Sequence, residues 1–178
     1  MWIVLVGFNG SGKTVLAEQV GRLTGRPIVD LDTAVEQRDG RALPEIFAAG
    51  GPRFFRQLEA EVIAGLAPDR ALVVATGGGT LEDYGLATVL RARGLVVWLD
   101  AAWLHLRRRL APRPDRPAAP IWRHLGEDGL FRLYQRRRPL FAATARLRLD
   151  ATQEPPVLAR RLLGRSLQLV PPAARGDA

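Results

Sequence analysis

Apolar positions along the chain keep two rhythms. Trp2-Ile3-Val4-Leu5-Val6 is an unbroken apolar run with β-branched residues, the pattern of a strand buried on both faces of a parallel sheet. After a glycine-rich stretch, Val15, Leu16, Val20 and Leu23 recur at helical spacing from Lys13, and Gly25 followed by Pro27 supplies a stop. Short apolar runs return at Pro27 to Asp30, Ala71 to Ala75, Leu95 to Leu99 and Leu147 to Leu149, separated by segments of helical periodicity. The alternation predicts an α/β domain with about five mostly parallel strands. Phe54-Phe55-Arg56-Gln57-Leu58-Glu59 opens a helix whose Leu58, Val62 and Leu66 face the core.

Two segments break the pattern. Ala111 to Pro120 holds four prolines in ten residues, which leaves neither helix nor central strand and predicts an extended loop. Adjacent prolines near the C-terminus mark residues 166–178 as a flexible tail behind a single domain over 1–165. A length of 178 residues with 47% hydrophobic content suits one core and is short for two. The first apolar run is far too short to span a bilayer and carries no charged leader, so the protein is expected in the cytoplasm and away from membranes; a monomer is the expected state.

Composition narrows the chemistry. The chain has no cysteine, which excludes disulfides, thiolate metal sites and a cysteine nucleophile. Its net charge of +8 fits either a nucleic-acid surface or a site for anionic small molecules. Of the 26 basic residues only Lys13 is a lysine. In a chain that otherwise writes positive charge as arginine, this position calls for a compact ammonium.

Lys13 stands in Gly7-Phe8-Asn9-Gly10-Ser11-Gly12-Lys13-Thr14, which fills the pattern G-x-x-x-x-G-K-[ST] between a strand and a helix. Glycines there let successive backbone N–H groups and the helix N-terminus converge on phosphate oxygens. Lys13 reaches the terminal phosphates, and the Thr14 hydroxyl can bind magnesium. A plain glycine turn explains the loop alone but not its context. The fold class that follows is the P-loop NTPase type, a three-layer α/β/α arrangement around a central parallel sheet.

Other polar positions fall at strand ends, which face the ligand crevice in parallel sheets. Asp30-Leu31-Asp32 closes the second strand. If the chain stays extended there, both carboxylates share one face, serving magnesium and an acceptor hydroxyl; the alternative is a pair that caps the next helix. Thr76-Gly77-Gly78-Gly79 follows the third strand, and its glycines permit backbone to approach a ligand closely. Arg56 and the run Arg136-Arg137-Arg138-Pro139-Leu140-Phe141 read singly as surface charge.

Taken in order, GFNGSGKT, Asp-x-Asp, Phe-Arg-x-x-Glu, Thr-Gly-Gly-Gly, an Arg-Pro loop and Arg-x-Pro-Leu resemble the shikimate kinase family over residues 2–163. The resemblance implies phosphoryl transfer from ATP, with Mg2+, to the 3-hydroxyl of shikimate in aromatic amino acid biosynthesis. It implies nucleotide contacts from Gly10, Ser11, Gly12, Lys13, Thr14 and Val15, with Arg109 packed on adenine and residues 150–155 on its other side. It assigns magnesium support to Asp30 and Thr14, and the acceptor hydroxyl to Asp32. Arg56 and Arg137 would clamp the acceptor carboxylate, with Gly77, Gly78 and Gly79 completing the pocket. The Pro-rich loop, about 111–123, matches a mobile lid that brings Arg116 onto the phosphates, so Lys13, Asp32 and Arg116 form the implied catalytic set.

The chain departs from the family pattern at Ala118-Ala119, where two leucines are usual, at Phe141 and Ala143, where tyrosine and glutamate are usual, and at Asn9, where methionine is common. Rival readings are a gluconate or nucleoside monophosphate kinase, a non-catalytic nucleotide-binding relative, and a nucleic-acid binder prompted by twelve arginines between Arg107 and Arg148. The last ranks lowest, because no nucleic-acid recognition motif accompanies the charge.

Overall fold

The computed structural model describes residues 1–113 and 120–169. Five strands, β1 (Trp2–Val6), β2 (Ile28–Asp30), β3 (Val73–Ala75), β4 (Gly94–Asp100) and β5 (Leu147–Asp150), form one sheet in the order β2-β3-β1-β4-β5. Every pairing is parallel, with Ile3 opposite both Val73 and Leu95. All five residues of β1 are fully buried. Because side chains alternate across a strand, burial of consecutive residues means that both faces are covered, and continuous hydrophobicity marks the centre of the sheet. At the edge, β5 alternates buried Leu147 and Leu149 with exposed Arg148 and Asp150.

The described residues carry seven helices: α1 (Lys13–Thr24), α2 (Leu31–Asp39), α3 (Leu43–Gly65), α4 (Tyr84–Arg93), α5 (Trp103–Leu110), α6 (Pro120–Thr144) and α7 (Pro155–Leu169). Gly25, at φ 68°, ends α1 where the sequence placed the stop. Of the four residues read as its apolar stripe, Leu16 and Val20 are buried while Val15 and Leu23 are 47% and 57% exposed. The buried stripe instead uses Ala17 and Gly21, small residues that a count of large apolar side chains overlooks. Both α3 and α6 break at a glycine, Gly51 and Gly126, each at φ 65°. The second half of α3 starts at Pro52 and puts Leu58 in a small satellite core with Val35, Ile46 and Phe55. Helix α7 runs on to Leu169, four residues into the stretch read as tail, and residues 170–178 lie outside the described ones.

The chain turns helical at Leu31, so Asp32 sits in the first turn of α2 and not on an extended strand. Asp30 is the N-cap of that helix, its carboxylate accepting from the Thr33 N–H at 3.4 Å. The two carboxylates therefore do not share a face by strand alternation. From β1 the chain passes to β2 at the edge and returns to β3, while β4 lies on the other side of β1. Strand order thus reverses at β1, and a parallel sheet opens a crevice at such a point, at the carboxyl ends of its strands. No helix among the described residues is long and apolar enough to cross a membrane.

Candidate active site

The loop from β1 to α1 turns through three glycines of positive φ, Gly7 at 150°, Gly10 at 77° and Gly12 at 94°. Gly7 has no room for a side chain, since a Cβ there would lie 2.7 Å from the Leu99 carbonyl oxygen and 2.9 Å from Ser11 Oγ. Lys13 Nζ curls back to donate to the carbonyls of Gly7, at 2.9 Å, and Phe8, at 3.1 Å. Burial pulls its pKa down to about 8 despite the opposing pull of Asp32 and Asp30, and Arg137 adds to the depression. Ser11 Oγ is buried with no hydrogen-bond partner, as befits a polar group at a binding site. Arg109 fastens the loop from outside, donating to the Gly10 carbonyl at 3.1 Å and the Ala151 carbonyl at 3.3 Å. It thereby ties the phosphate loop to the turn after β5.

Thr14 Oγ1 donates to Asp30 Oδ2 at 2.7 Å. No group of three or more His, Cys, Asp or Glu that could hold a metal occurs among the described residues. A hydroxyl paired with one carboxylate beside a phosphate loop nevertheless fits Mg2+, which commonly takes one or two protein groups, with water and substrate phosphates completing its shell.

Asp32 lies next to Gly77, where a Cβ would come 2.7 Å from its Oδ1. Burial raises the Asp32 pKa to about 6. Lys13 opposes the rise, Asp30 and Glu59 reinforce it, and Arg56 opposes it less. Glu59 is itself fully buried and held by the Thr80 hydroxyl at 2.6 Å and by Arg56 Nη1. Arg56 and Glu59 are three residues apart on α3, so one helix face aims and fixes the guanidinium. From α6, Arg137 donates through Nη1 to Asn9 Oδ1 at 3.3 Å and through Nη2 to Glu82 Oε2 at 2.7 Å, while its buried Nε has no partner. The two guanidiniums meet over Gly79: a Cβ there would press on Arg56 Nη2 and lie 2.5 Å from Arg137 Nη2. That crowding, not backbone conformation, is the reason for glycine at this position.

The site therefore holds a phosphate loop with its lysine, a half-buried carboxylate of raised pKa, and two convergent arginines. A family model described as Shikimate kinase matches residues 9–167. The chain belongs to the shikimate kinase family. Among its relatives, the shikimate kinase of Synechococcus elongatus is 36% identical over 177 residues, covering 99% of this chain and 90% of the relative. That of Symbiobacterium thermophilum is 42% identical over 154 residues, covering 84% and 86%. A solved structure of shikimate kinase from Acinetobacter baumannii in complex with shikimate matches with a TM-score of 0.83 at 31% identity, covering 94% of this chain and 93% of that one. A gluconokinase from Sinorhizobium meliloti, with a TM-score of 0.63 at 18% identity over 94% of this chain and 91% of that one, shares the fold.

In this member of the shikimate kinase family the structure gathers most of the residues singled out in the sequence. Gly10, Ser11, Gly12, Lys13 and Thr14 form the loop and the start of α1, with Val15 exposed on that first turn. Asp30, Asp32, Arg56, Gly77, Gly79 and Arg137 surround the crevice through the contacts above, and Gly78 packs directly on the Asn9 side chain. Arg116 and the Ala118-Ala119 pair lie outside the described residues, while Pro120 to Arg123, expected as the end of the lid loop, form the first turn of α6 instead. Phe141 is buried against Trp98, with ring centroids 6.2 Å apart, so this departure falls in the core. Asn9, the departure within the loop, contacts both Arg137 and Gly78. Sequence reasoning assigned no role to Glu59, Thr80 or Glu82. The i, i+3 spacing of Arg56 and Glu59 was a usable signal, whereas Thr80 and Glu82 become visible only once the glycine turn is folded.

Proposed function

We propose that this chain transfers the γ-phosphoryl group of ATP to the 3-hydroxyl of shikimate, giving ADP and shikimate 3-phosphate, in the cytoplasm. The observation that carries the reading is the convergence of Arg56 and Arg137 over Gly79, close enough for Arg56 to act on the Asp32 charge and Arg137 on that of Lys13. Two planar guanidiniums suit a carboxylate, so the acceptor is an alcohol that bears one. Membership of the family supports shikimate as that alcohol.

In this reading Gly10, Ser11, Gly12 and Lys13 hold the phosphates, and Arg109 packs beside the adenine. Thr14 and Asp30 hold Mg2+, which neutralises phosphate charge when bound. The clamp spends acceptor-binding energy on orientation, aiming the hydroxyl along the line of transfer. Asp32 accepts the hydroxyl proton as the oxygen attacks the γ-phosphorus and the bond to the β-phosphate oxygen breaks. Its raised pKa makes it a better base than an ordinary aspartate while leaving it ionised at neutral pH. Lys13 stabilises charge on the transferring group, and likeness to the family supports Arg116 as its partner in that role.

The test is coupled ADP release from purified protein with ATP, Mg2+ and an acceptor panel of shikimate, gluconate, a nucleoside monophosphate and no acceptor. Release with shikimate alone is expected. Release only with gluconate or a nucleotide reassigns the acceptor, and ATP binding without acceptor-dependent release makes the chain a non-catalytic relative.

A further inference from the structure

One carboxylate in the site has no part in the chemistry above. The three-residue turn Thr80–Glu82 follows Gly79 directly, and the Glu82 N–H donates to the Gly79 carbonyl at 3.0 Å. This fixes the Glu82 backbone beside the clamp. Its side chain then reaches over Gly79: Oε2 accepts from Arg137 Nη2 at 2.7 Å and lies 3.9 Å from Arg56 Nη2, while Oε1 accepts from Arg136 Nη2 at 2.7 Å. A Cβ on Gly79 would touch Arg56 Nη2, Arg137 Nη2 and Glu82 Oε2 together, the last at 2.8 Å. The protein's own carboxylate thus stands between the two guanidiniums.

We propose that Glu82 is a specificity-determining residue, an internal carboxylate that occupies the acceptor-carboxylate clamp and yields it when the acceptor arrives. The inference rests on the reading of Arg56 and Arg137 as that clamp. An arginine Nη2 that already donates to Glu82 is only partly available to a second carboxylate, so each binding event costs one carboxylate–arginine pair. The exchange is feasible because Glu82 has somewhere to go. Arg136, 68% exposed on the solvent side, already holds Oε1, and a cavity of about 490 Å³ lined by Arg53, Arg56 and Gln57 opens beside it. Burial works to raise the Glu82 pKa, but Arg137 and Arg136 outweigh it and hold the carboxyl below its ordinary range, so at neutral pH the competitor is charged. The consequence is selectivity: weakly bound anions do not displace Glu82, whereas an acceptor anchored by its hydroxyls at Asp32 does.

Glu82→Gln keeps the shape and removes the charge. The acceptor KM for shikimate, and its Kd by calorimetric titration without turnover, should fall roughly fivefold, the weight of a partly exposed ion pair. The gain should appear in KM, with kcat moving less, and the KM for ATP should hold. The same variant should show no gain toward a shikimate analogue whose carboxylate is reduced to an alcohol. An unchanged or raised shikimate KM and Kd overturns the proposal, because Glu82 then supports the arginines and does not compete for them. An equal gain for the reduced analogue overturns it as well. If the wild type fails to phosphorylate shikimate while Glu82→Gln still binds it more tightly, the transfer reading fails and the role of Glu82 stands.

Discussion

Gly79→Ala isolates the acceptor clamp from the rest of the site. Gly79 has φ −116° and ψ 6°, which alanine adopts without left-handed strain, so the backbone tolerates the change. The added Cβ would lie 2.5 Å from Arg137 Nη2 and still press on Arg56 Nη2, about 1 Å inside normal contact. Both are tips of long side chains, so they move aside and the chain still folds, with a stability loss of about 1–2 kcal/mol from the disturbed pairs to Glu59 and Glu82. The displaced guanidiniums no longer meet one carboxylate. Losing the equivalent of one or two charged hydrogen bonds, each about 1.5–3 kcal/mol, costs about 2–4 kcal/mol in acceptor binding. That is a drop of roughly 30- to 1,000-fold in acceptor kcat/KM. The assay is ADP release with shikimate varied at saturating ATP, with a nucleotide titration and a thermal melt alongside. An acceptor kcat/KM within about threefold of wild type, in a folded protein that binds nucleotide normally, would refute the clamp.

Three further perturbations test neighbouring parts. Asp32→Asn should lower kcat by at least ~100-fold with nucleotide affinity retained, and wild-type kcat/KM should rise with pH along a limb near 6; near-native turnover in the variant contradicts the base assignment. Because folding raises the Asp32 pKa from 3.8 to about 6, the folded state binds the proton more tightly. Stability from this group is therefore full below pH ~4, declines to about pH 6 and stays lost above, so Asp32→Asn should be more stable than wild type at pH 7 by about 1–3 kcal/mol in denaturant melts. Gly7→Ala, at positive φ and against the Leu99 carbonyl, should destabilise by about 2 kcal/mol or more and abolish nucleotide binding; an unaltered melt and nucleotide Kd would show that the loop has slack. Thr14→Val should raise the Mg2+ concentration needed for half-maximal turnover roughly tenfold, and an unchanged Mg2+ dependence removes Thr14 from the metal site.

The sheet was legible because a parallel strand covered on both faces must be apolar throughout, as Trp2–Val6 and Leu95–Leu99 are. The phosphate loop was legible because glycines, lysine and threonine at fixed spacing answer to the shape of a phosphate. The sequence leaves Asp32 open between strand and helix because a dipeptide gives no sign of where β2 ends; the Asp30 cap on Thr33 decides it. Capping and a second role were posed as alternatives for Asp30, yet its Oδ1 faces Thr33 and its Oδ2 faces Thr14. The clamp was the least legible part on local grounds. Arg56 and Arg137 lie 81 positions apart in the sequence and each reads alone as surface charge, so only their resemblance to the family joined them before the fold did. Glu82 was invisible for the same reason, since its meaning depends on where two distant arginines end.

The central claim is transfer of a phosphoryl group to one hydroxyl of a carboxylate-bearing alcohol. Phosphorus NMR of the reaction of ATP, Mg2+ and shikimate tests it directly. One new phosphate monoester signal, coupled to the proton on carbon 3 and growing in step with ADP, is the predicted result. ADP without that signal, or a monoester on another hydroxyl, would contradict the account.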